Sequence, residues 1–326
     1  MKVFVTRRIP RPGLDLLKKE YTVEINPHDR VLTKEEIIKG IRGKDGLLCL
    51  LTDPIDKEVI TAEPKLKMIA SYAVGYDNID VAVATQQGIP VSNTPGVLTE
   101  TTAELAWALL FSVTRRIVEG DTFTREGKFK GWAPMLMLGQ DVTKKTLGIV
   151  GTGRIGTAFA LKSKGFEMNV LYTDEQRNEQ LERELGAKKV PLSTLLKNSD
   201  FVSIHVPLTK ATHHLIDEKE FHMMKKTAVL INTARGPIIN EKALVKALKE
   251  QWIFGAGLDV YENEPEIPME LKNLNNVVLQ PHIGSATVET RTKMALMAAE
   301  NMSRGLKGNI PPNCVNKEVF LRKSTT

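Results

Sequence analysis

The stretch TLGIVGTGRIG, residues 146–156, decides the fold predicted for this chain. An apolar, strand-like run leads directly into a G-x-G-x-x-G motif, and a helical pattern continues to Lys164. Here Gly151 permits a tight turn, Gly153 lets a pyrophosphate approach the backbone, and Gly156 lets helix and strand pack closely. The free N–H groups at the start of the helix favour phosphate. The motif therefore predicts a dinucleotide site formed by Gly151, Thr152, Gly153, Arg154, Ile155 and Gly156.

A carboxylate follows the next strand-like run, MNVLYT (168–173), at Asp174. A carboxylate at this place accepts hydrogen bonds from the adenosine ribose hydroxyls and repels a 2′-phosphate. Glu175 adds a second negative charge, which favours NAD as the cofactor. Arg177 argues for the alternative, because a guanidinium can neutralise a phosphate. We therefore predict NAD and leave NADP open.

Further apolar runs, separated by helical patterns, extend in both directions from this motif. They are VFVT (3–6), GLLCLL (46–51), LKMIAS (66–71), NVLYTD (169–174), FVSIHV (201–206), AVLINT (228–233), GAGLDV (255–260) and VVLQPH (277–282). Such alternation predicts two doubly wound, parallel-sheet α/β domains. We expect a Rossmann cofactor domain over residues 99–285 and a flavodoxin-like substrate domain over residues 1–98 and 286–326, with a cleft between them.

Two helices have distinct local signals. Thr33 and Glu36 form a capping box that opens a helix. A long helix is predicted from about Thr99 to about Gly120. Its three- and four-residue spacing puts one set of side chains on a shared face, namely Leu105, Ala108, Leu109 and Ser112.

Composition excludes several classes of protein. The net charge of the 326 residues is +6, but basic pairs are scattered among acidic residues, which suits anionic small molecules better than nucleic acid. The N-terminus lacks the order of a signal peptide, and the apolar stretch 103–113 is too short to span a bilayer. We expect a cytoplasmic protein with no nucleic-acid or membrane partner. Its cysteines, Cys49 and Cys314, have no metal-ligand spacing, and we predict no metal.

Three titratable or charged side chains stand just past predicted strand ends: Arg235 in LINTARG, Glu264 in GLDVYENEP and His282 in LQPHIGSA. Ligands bind at the carboxyl ends of strands in a doubly wound sheet, so these side chains can converge on one site. Each alone has an ordinary alternative, such as a surface ion pair, a residue before a turn or a core histidine. Their placement on successive strands favours a catalytic site.

The motifs VGYDNID (74–80), GTGRIG, NTARG, GLDVYENEP and PHIGSA, in that order, resemble the D-isomer-specific 2-hydroxyacid dehydrogenases. Within that family the chain is most similar to the glyoxylate and hydroxypyruvate reductases, through SYAVGYDNID, NTPGVLTE, GWAP (131–134) and PPNCVN (311–316). The resemblance implies reduction of a small 2-keto acid, glyoxylate or hydroxypyruvate, by NAD(P)H. It also implies a homodimer in which residues 135–138 form an arm and Trp132 reaches the partner's substrate pocket.

The resemblance also assigns roles to single residues. Arg235 matches the arginine that binds the substrate carboxylate and carbonyl, for which a planar guanidinium is suited. His282 matches the proton donor, since imidazole titrates near neutral pH. Glu264 matches the carboxylate that orients the imidazole and favours its charged form. The remaining assignments are Val74 and Gly75 for the substrate carboxylate, and Val206, Thr233, Ala234, Arg235, Asp259, His282 and Gly284 along the cofactor.

Other functions remain open on the sequence. Phosphoglycerate, D-lactate, phosphite and formate dehydrogenases share the scaffold, although a formate enzyme of this kind has glutamine where Glu264 stands. NAD-sensing transcriptional corepressors also use the scaffold without turnover. They usually carry recruitment tails, whereas this sequence ends about forty residues after His282. We expect the enzyme, and turnover of glyoxylate separates the two possibilities.

Overall fold

A computed structural model of the chain describes residues 1–321. The chain divides into two compact units, one formed by Met1–Leu98 with the segment from Ser285 onward, the other by Thr99–Gly284. Among the described residues, no helix combines the length and the apolar character needed to cross a membrane.

The N-terminal part of the first unit alternates strands and helices. Its elements are β1 (Lys2–Val5), α1 (Arg11–Lys18), β2 (Thr22–Ile25), α2 (Lys34–Ile41), β3 (Gly46–Cys49), α3 (Lys57–Thr61), β4 (Met68–Ser71), α4 (Val81–Gln86) and β5 (Val91–Ser92). The strands form one parallel sheet in the order β2-β1-β3-β4-β5. The predicted capping box is confirmed, because Thr33 Oγ1 accepts from the amide of Glu36 and the Glu36 carboxylate accepts from the amide of Thr33.

The second unit begins with two helices and continues as a longer βα series. Its elements are α5 (Thr99–Thr114), α6 (Ile117–Arg125), β6 (Thr146–Val150), α7 (Arg154–Lys162), β7 (Asn169–Thr173), α8 (Glu179–Leu185), β8 (Lys188–Lys189), α9 (Leu192–Asn198), β9 (Phe201–Ile204), α10 (Glu218–Met223), β10 (Val229–Asn232), α11 (Glu241–Lys249), β11 (Gly255–Leu258), α12 (Met269–Lys272) and β12 (Val277–Leu279). Seven parallel strands form a sheet in the order β12-β11-β10-β9-β6-β7-β8.

Both faces of the seven-stranded sheet are covered, as its sequence pattern requires. Strand side chains alternate between faces, so Val229 and Ile231 of β10 join the core under α5 and α7, while Leu230 joins the core on the opposite face. Strands buried on both faces are therefore nearly continuous apolar runs. The chain then returns to the first unit through α13 (Val288–Leu306) and α14 (Glu318–Leu321). A Cβ on Gly13 of α1 would lie 2.5 Å from the carbonyl oxygen of Ala295, so α1 and α13 pack at backbone distance.

The predicted fold class, two parallel-sheet α/β domains, is confirmed. Two details of the long helix were wrong. It ends at Thr114 rather than near Gly120, because Arg116 adopts a left-handed φ of 52° before α6 begins. The predicted apolar face was also misplaced, since Ala108 is exposed and the buried side chains include Ala103, Ala106 and Trp107. Strands β2, β5 and β8 were not predicted.

Candidate active site

The glycine loop after β6 has the geometry that a dinucleotide needs. Gly151 adopts a φ of 92°, and a Cβ there would lie 2.7 Å from Cγ1 of Val206. A Cβ on Gly156 would lie 2.0 Å from the carbonyl oxygen of Gly151, so α7 can approach the loop only with glycine here. A Cβ on Gly153 would meet nothing within 4 Å, which leaves this position open to a ligand.

Asp174 is held beside this loop at the end of β7. Its Oδ2 accepts hydrogen bonds from the amide of Thr152 at 2.6 Å and from Thr152 Oγ1 at 3.1 Å. Burial raises the pKa of Asp174, but these hydrogen bonds outweigh burial and the pKa lies below its ordinary value. Arg177 is turned to another partner, with its Nε 3.2 Å from Oε1 of Glu182. The end of β7 therefore presents the fixed negative charge of Asp174, and the guanidinium of Arg177 is already paired with Glu182.

Two further observations fit a bound dinucleotide. Gly153 stands at the N-cap of α7, where it brings no side chain to cap the helix, and Arg154 and Ile155 form its first turn. Phosphate oxygens can therefore accept from the exposed amides. Thr233, just after β10, is buried, and within residues 1–321 its Oγ1 has no hydrogen-bond partner. A polar atom of a bound ligand would supply the hydrogen-bond partner that this hydroxyl needs.

The structure brings Glu264 and His282 together beyond the carboxyl ends of β11 and β12. Oε2 of Glu264 lies 2.8 Å from Nδ1 of His282, and Oε1 accepts from the amide of Tyr261 at 3.1 Å. Burial raises the pKa of Glu264, but the hydrogen bond and charge of His282, the amide of Tyr261 and the charge of Arg235 outweigh it, so this pKa is lowered. The carboxylate holds Nδ1, so Nε2 is the ring nitrogen that could exchange a proton with a ligand.

Asp259 fixes the backbone that follows His282. The Asp259 carboxylate is buried and accepts from the amides of Ile283 and Gly284, each at 2.7 Å. Burial raises the pKa of Asp259. His282 itself adopts a left-handed φ of 55°, an uncommon conformation that is maintained only where the surroundings impose it. Asp259 therefore supports the loop that presents the imidazole.

Arg235 follows β10 and is half-buried, and it lies close enough to Glu264 for its charge to lower that pKa. Its Nη1 donates to the carbonyl oxygen of Ala234 at 2.8 Å. The turn is closed by Asn232, whose side chain donates to the carbonyl oxygen of Arg235 and accepts from the amide of Ala234. Arg235, Glu264 and His282 thus share one edge of the seven-stranded sheet.

Three residues that build this edge were not predicted from the sequence. Asn232 closes the Arg235 turn, and Tyr261 supports Glu264 through its amide and also donates from its hydroxyl to the carbonyl oxygen of Gln280 at 2.8 Å. Gly236 lies against the backbone of Tyr261, since a Cβ would lie 1.9 Å from its carbonyl carbon. The available signals were an asparagine and a tyrosine inside the NTARG and GLDVYENEP motifs.

Val74 and Gly75 lie in the first unit, in the loop after β4, and both are partly exposed. Asn93 fixes this loop, because its side chain donates to the carbonyl oxygen of Val74 at 2.8 Å. Asn78 holds the following turn through hydrogen bonds to the carbonyl oxygens of Leu50 and Asp53. The side chains of Asn93 and Asn78 therefore order the loop. Their hydrogen bonds go to carbonyl oxygens and do not involve the amides of Val74 and Gly75.

Comparison with known proteins matches residues 107–284 to the family model described as D-isomer specific 2-hydroxyacid dehydrogenase, NAD binding domain. A glyoxylate reductase from Korarchaeum cryptofilum is 55% identical over 98% of this chain and 96% of its own length. A glyoxylate reductase from Thermococcus litoralis is 53% identical over 98% of both chains. Among solved structures, an NADPH-dependent glyoxylate/hydroxypyruvate reductase from Sinorhizobium meliloti, in complex with NADP and malonate, has a TM-score of 0.86 at 30% identity and covers 98% of both chains.

Proposed function

Because the chain belongs to the D-isomer-specific 2-hydroxyacid dehydrogenase family, we propose that it reduces glyoxylate to glycolate with NADH. The observation that carries the proposal is the 2.8 Å contact between Glu264 and His282 beside Arg235. An arginine beside a carboxylate–imidazole pair is suited to an anionic substrate whose carbonyl oxygen must receive a proton. Hydroxypyruvate, which would give D-glycerate, is the second candidate, since the S. meliloti relative carries that activity in its name.

Each residue has a separate task in the proposed reaction. Reduced nicotinamide, when bound, supplies a hydride to the carbonyl carbon. His282 donates the proton to the carbonyl oxygen from Nε2, and Glu264 holds the ring through Nδ1 and stabilises its positive charge. Arg235 binds the substrate carboxylate and polarises the carbonyl through paired N–H groups. Val74 and Gly75 of the first unit would donate their amides to a substrate carboxylate.

The proposed cofactor contacts follow the edge of the seven-stranded sheet. The residues from Gly151 to Gly156 would bind the pyrophosphate through backbone amides, and Asp174 would accept from the adenosine ribose. Val206, Thr233, Ala234, Asp259 and Gly284 would line or support the nicotinamide half. NADH is favoured over NADPH because the Asp174 pKa is lowered and Arg177 is paired with Glu182. A 2′-phosphate would therefore face the Asp174 carboxylate, while the Arg177 guanidinium is held by Glu182.

We also propose that the protein is a homodimer formed through the second unit. Apolar side chains are exposed on Trp132 and on the arm that follows it, residues 135–138, with Trp132 85% and Met135 76% exposed. A groove of about 1070 Å³ on the same unit has a mixed lining, in which Val118, Phe123 and Phe254 stand among polar and charged side chains. An exposed apolar arm is buried when two identical surfaces pair about a two-fold axis.

A panel of initial rates tests the proposed reaction. Purified enzyme is given glyoxylate, hydroxypyruvate and pyruvate in turn, each with NADH and with NADPH. We expect the highest kcat/KM with glyoxylate and NADH. The control is His282→Ala, which should lower kcat by about 10²–10⁴-fold because a positioned proton donor contributes that much. Absence of turnover with every keto acid would overturn the proposal and favour a binding protein.

A further inference from the structure

His214 connects two loops of the active site, although the reaction described above gives it no task. Its backbone amide donates to the carbonyl oxygen of Pro237 at 2.8 Å. Its Nε2 lies 2.9 Å from Oε1 of Glu262. Pro237 stands two residues after Arg235, and Glu262 stands two residues before Glu264. One residue therefore links the loop that carries the arginine to the loop that carries the carboxylate.

Glu262 is fixed on its far side as well. Its Oε2 accepts from the amide of Glu241 at 3.1 Å, and Oε1 of Glu241 accepts from the amide of Glu262 at 3.0 Å. Burial raises the pKa of Glu241. Burial also opposes ionisation of Glu262, but the hydrogen bond from His214 and the amide of Glu241 outweigh it and lower its pKa. Of the two carboxyl groups, Glu262 is therefore the one that favours its charged form, and His214 stabilises that charge.

The two linked loops touch at backbone distance. A Cβ on Gly236 would lie 1.9 Å from the carbonyl carbon of Tyr261. The amide of Tyr261 in turn donates to Glu264. A shift of Glu262 would therefore move the neighbouring amide that holds Glu264. The segment after His214 is also paired with the Arg235 loop, because Ile216 donates to the carbonyl oxygen of Ile238 at 3.1 Å.

We propose that His214 is a positioning residue for keto-acid reduction. It fixes the Arg235 loop relative to Glu264 and His282, so that the group binding the substrate carboxylate and the group donating the proton act on the same molecule. The left-handed φ of His214, 50°, agrees with a conformation imposed by its contacts. The proposal rests on the proposed function, since it assigns His214 to the same reaction.

His214 differs from an ordinary surface histidine of the same unit. His222 lies 3.9 Å from Glu218, both side chains are about half exposed, and the two residues belong to one helix. His214 and Glu262 are less exposed, lie 2.9 Å apart and belong to different loops. His222 therefore provides a matched control, since replacing it removes a histidine–glutamate pair that connects no part of the active site.

Three variants test the role of His214: His214→Leu removes the imidazole, His214→Gln keeps an N–H donor for Glu262, and His222→Leu is the control. Readouts are kcat and KM for glyoxylate, NADH affinity by fluorescence, binding of the keto-acid analogue oxamate to the NADH complex, and Tm. We expect His214→Leu to lower kcat/KM by about 10–100-fold, the cost of a displaced reacting group, and to weaken oxamate binding. NADH affinity should stay within about two-fold, because the glycine loop is untouched.

The outcomes separate this proposal from the proposed function. Partial recovery in His214→Gln with an unchanged His222→Leu would support positioning. Wild-type kcat/KM in His214→Leu would overturn the positioning role. A variant that loses NADH affinity, oxamate affinity and Tm together would also overturn it, because such a result indicates general destabilisation. A wild-type protein that turns over no keto acid contradicts the proposed function, and oxamate binding then still reports whether His214 positions the anion site.

Discussion

Oε2 of Glu264 and Nδ1 of His282 lie 2.8 Å apart, although the two residues follow different strands of the sheet. The other carboxylate oxygen of Glu264 accepts from the amide of Tyr261, so the carboxylate cannot rotate without losing a second hydrogen bond. The pair consequently fixes the orientation of the imidazole, and the carboxylate would stabilise the positive charge of the proposed proton donor. Substitution of Glu264 should therefore change the pH dependence of the reaction as well as its rate.

We expect Glu264→Gln to move the basic limb of the reduction profile to lower pH. A proton donor must carry the proton, and a glutamine amide would not stabilise a positive charge on His282 as the carboxylate does, so reduction should decline at lower pH in the variant. The acid limb of the wild type, where Glu264 takes up a proton, should lie below the ordinary titration range of glutamate because its pKa is lowered. That limb should disappear in the variant. The measurement is kcat/KM for glyoxylate between about pH 3 and pH 9, a range that covers both limbs.

The control for this experiment is Glu266→Gln, two residues away, which keeps the charge of Glu264 in place. It should retain the wild-type profile. If Glu264→Gln has an unmoved profile while His282→Ala is inactive, Glu264 is not the functional partner of His282.

Arg235→Lys should chiefly raise KM for the keto acid. A guanidinium donates two parallel hydrogen bonds to a carboxylate, and a lysine ammonium acts as a point charge. Loss of one charge-assisted hydrogen bond costs about 1.5–3 kcal/mol, which corresponds to a rise of roughly 10–100-fold in KM. NADH affinity measured by fluorescence should change little. A variant with wild-type KM and lowered kcat would instead assign Arg235 to the transition state alone.

The sequence predicted the position of those side chains that directly follow the end of a strand. Arg235, Glu264 and His282 all follow apolar runs, and the parallel topology brings such residues to one edge without further information. Gly151 and Asp174 were predictable for the same reason. The positions of these residues depend on the order of the strands, and the apolar periodicity and the glycine motif specify that order.

Contacts made through the backbone were not predictable in this way. Asn232, Tyr261 and Glu262 act through amides and carbonyl oxygens, and a main-chain partner has no sequence signal. The break between α5 and α6 was missed because Ile117 and Val118 continue the apolar pattern, although both are exposed. Every position of α5 from Leu105 to Phe111 is apolar, so periodicity could not identify the buried face of the helix.

Replacing Asp174 by Ser and Glu175 by Arg should shift cofactor preference towards NADPH. The wild-type carboxylate accepts from the ribose hydroxyls and repels a 2′-phosphate, whereas the new guanidinium would bind the phosphate. We expect the ratio of kcat/KM for NADH over NADPH to exceed one in the wild type and to fall below one in the double variant. Wild-type enzyme that is already faster with NADPH would contradict the assignment of Asp174.

Replacing Trp132 and Met135 by Ser should weaken self-association. Both side chains are exposed in the single chain and lie on the apolar arm or just before it, so their burial would contribute to a dimer interface. Sedimentation at micromolar concentration should show a dimer for the wild type and a shift to monomer for the double variant. Met269→Ser removes an apolar side chain that is also exposed, at 65%, and should leave the dimer intact. A monomeric wild type would refute the role proposed for the arm.

His205 should make stability depend on pH between neutrality and pH 5. Its Nε2 lies 2.8 Å from Ser203 Oγ, its ring packs on Phe159, and burial lowers its pKa to about 3. The unfolded chain takes up a proton near the ordinary value of about 6.5, and the folded chain does not, so stability is complete above that pH and falls as the pH falls. Between pH 7 and pH 5 the loss is at most about 2 kcal/mol.

His205→Gln should remove this contribution, even if it changes the overall stability. The free energy of unfolding, from guanidinium titrations at pH 7 and pH 5, should therefore depend less on pH in the variant than in the wild type. His222→Gln replaces an exposed histidine and should keep the wild-type dependence. Equal pH dependence in the wild type and His205→Gln would mean that water reaches the imidazole in the folded protein and protonates it there.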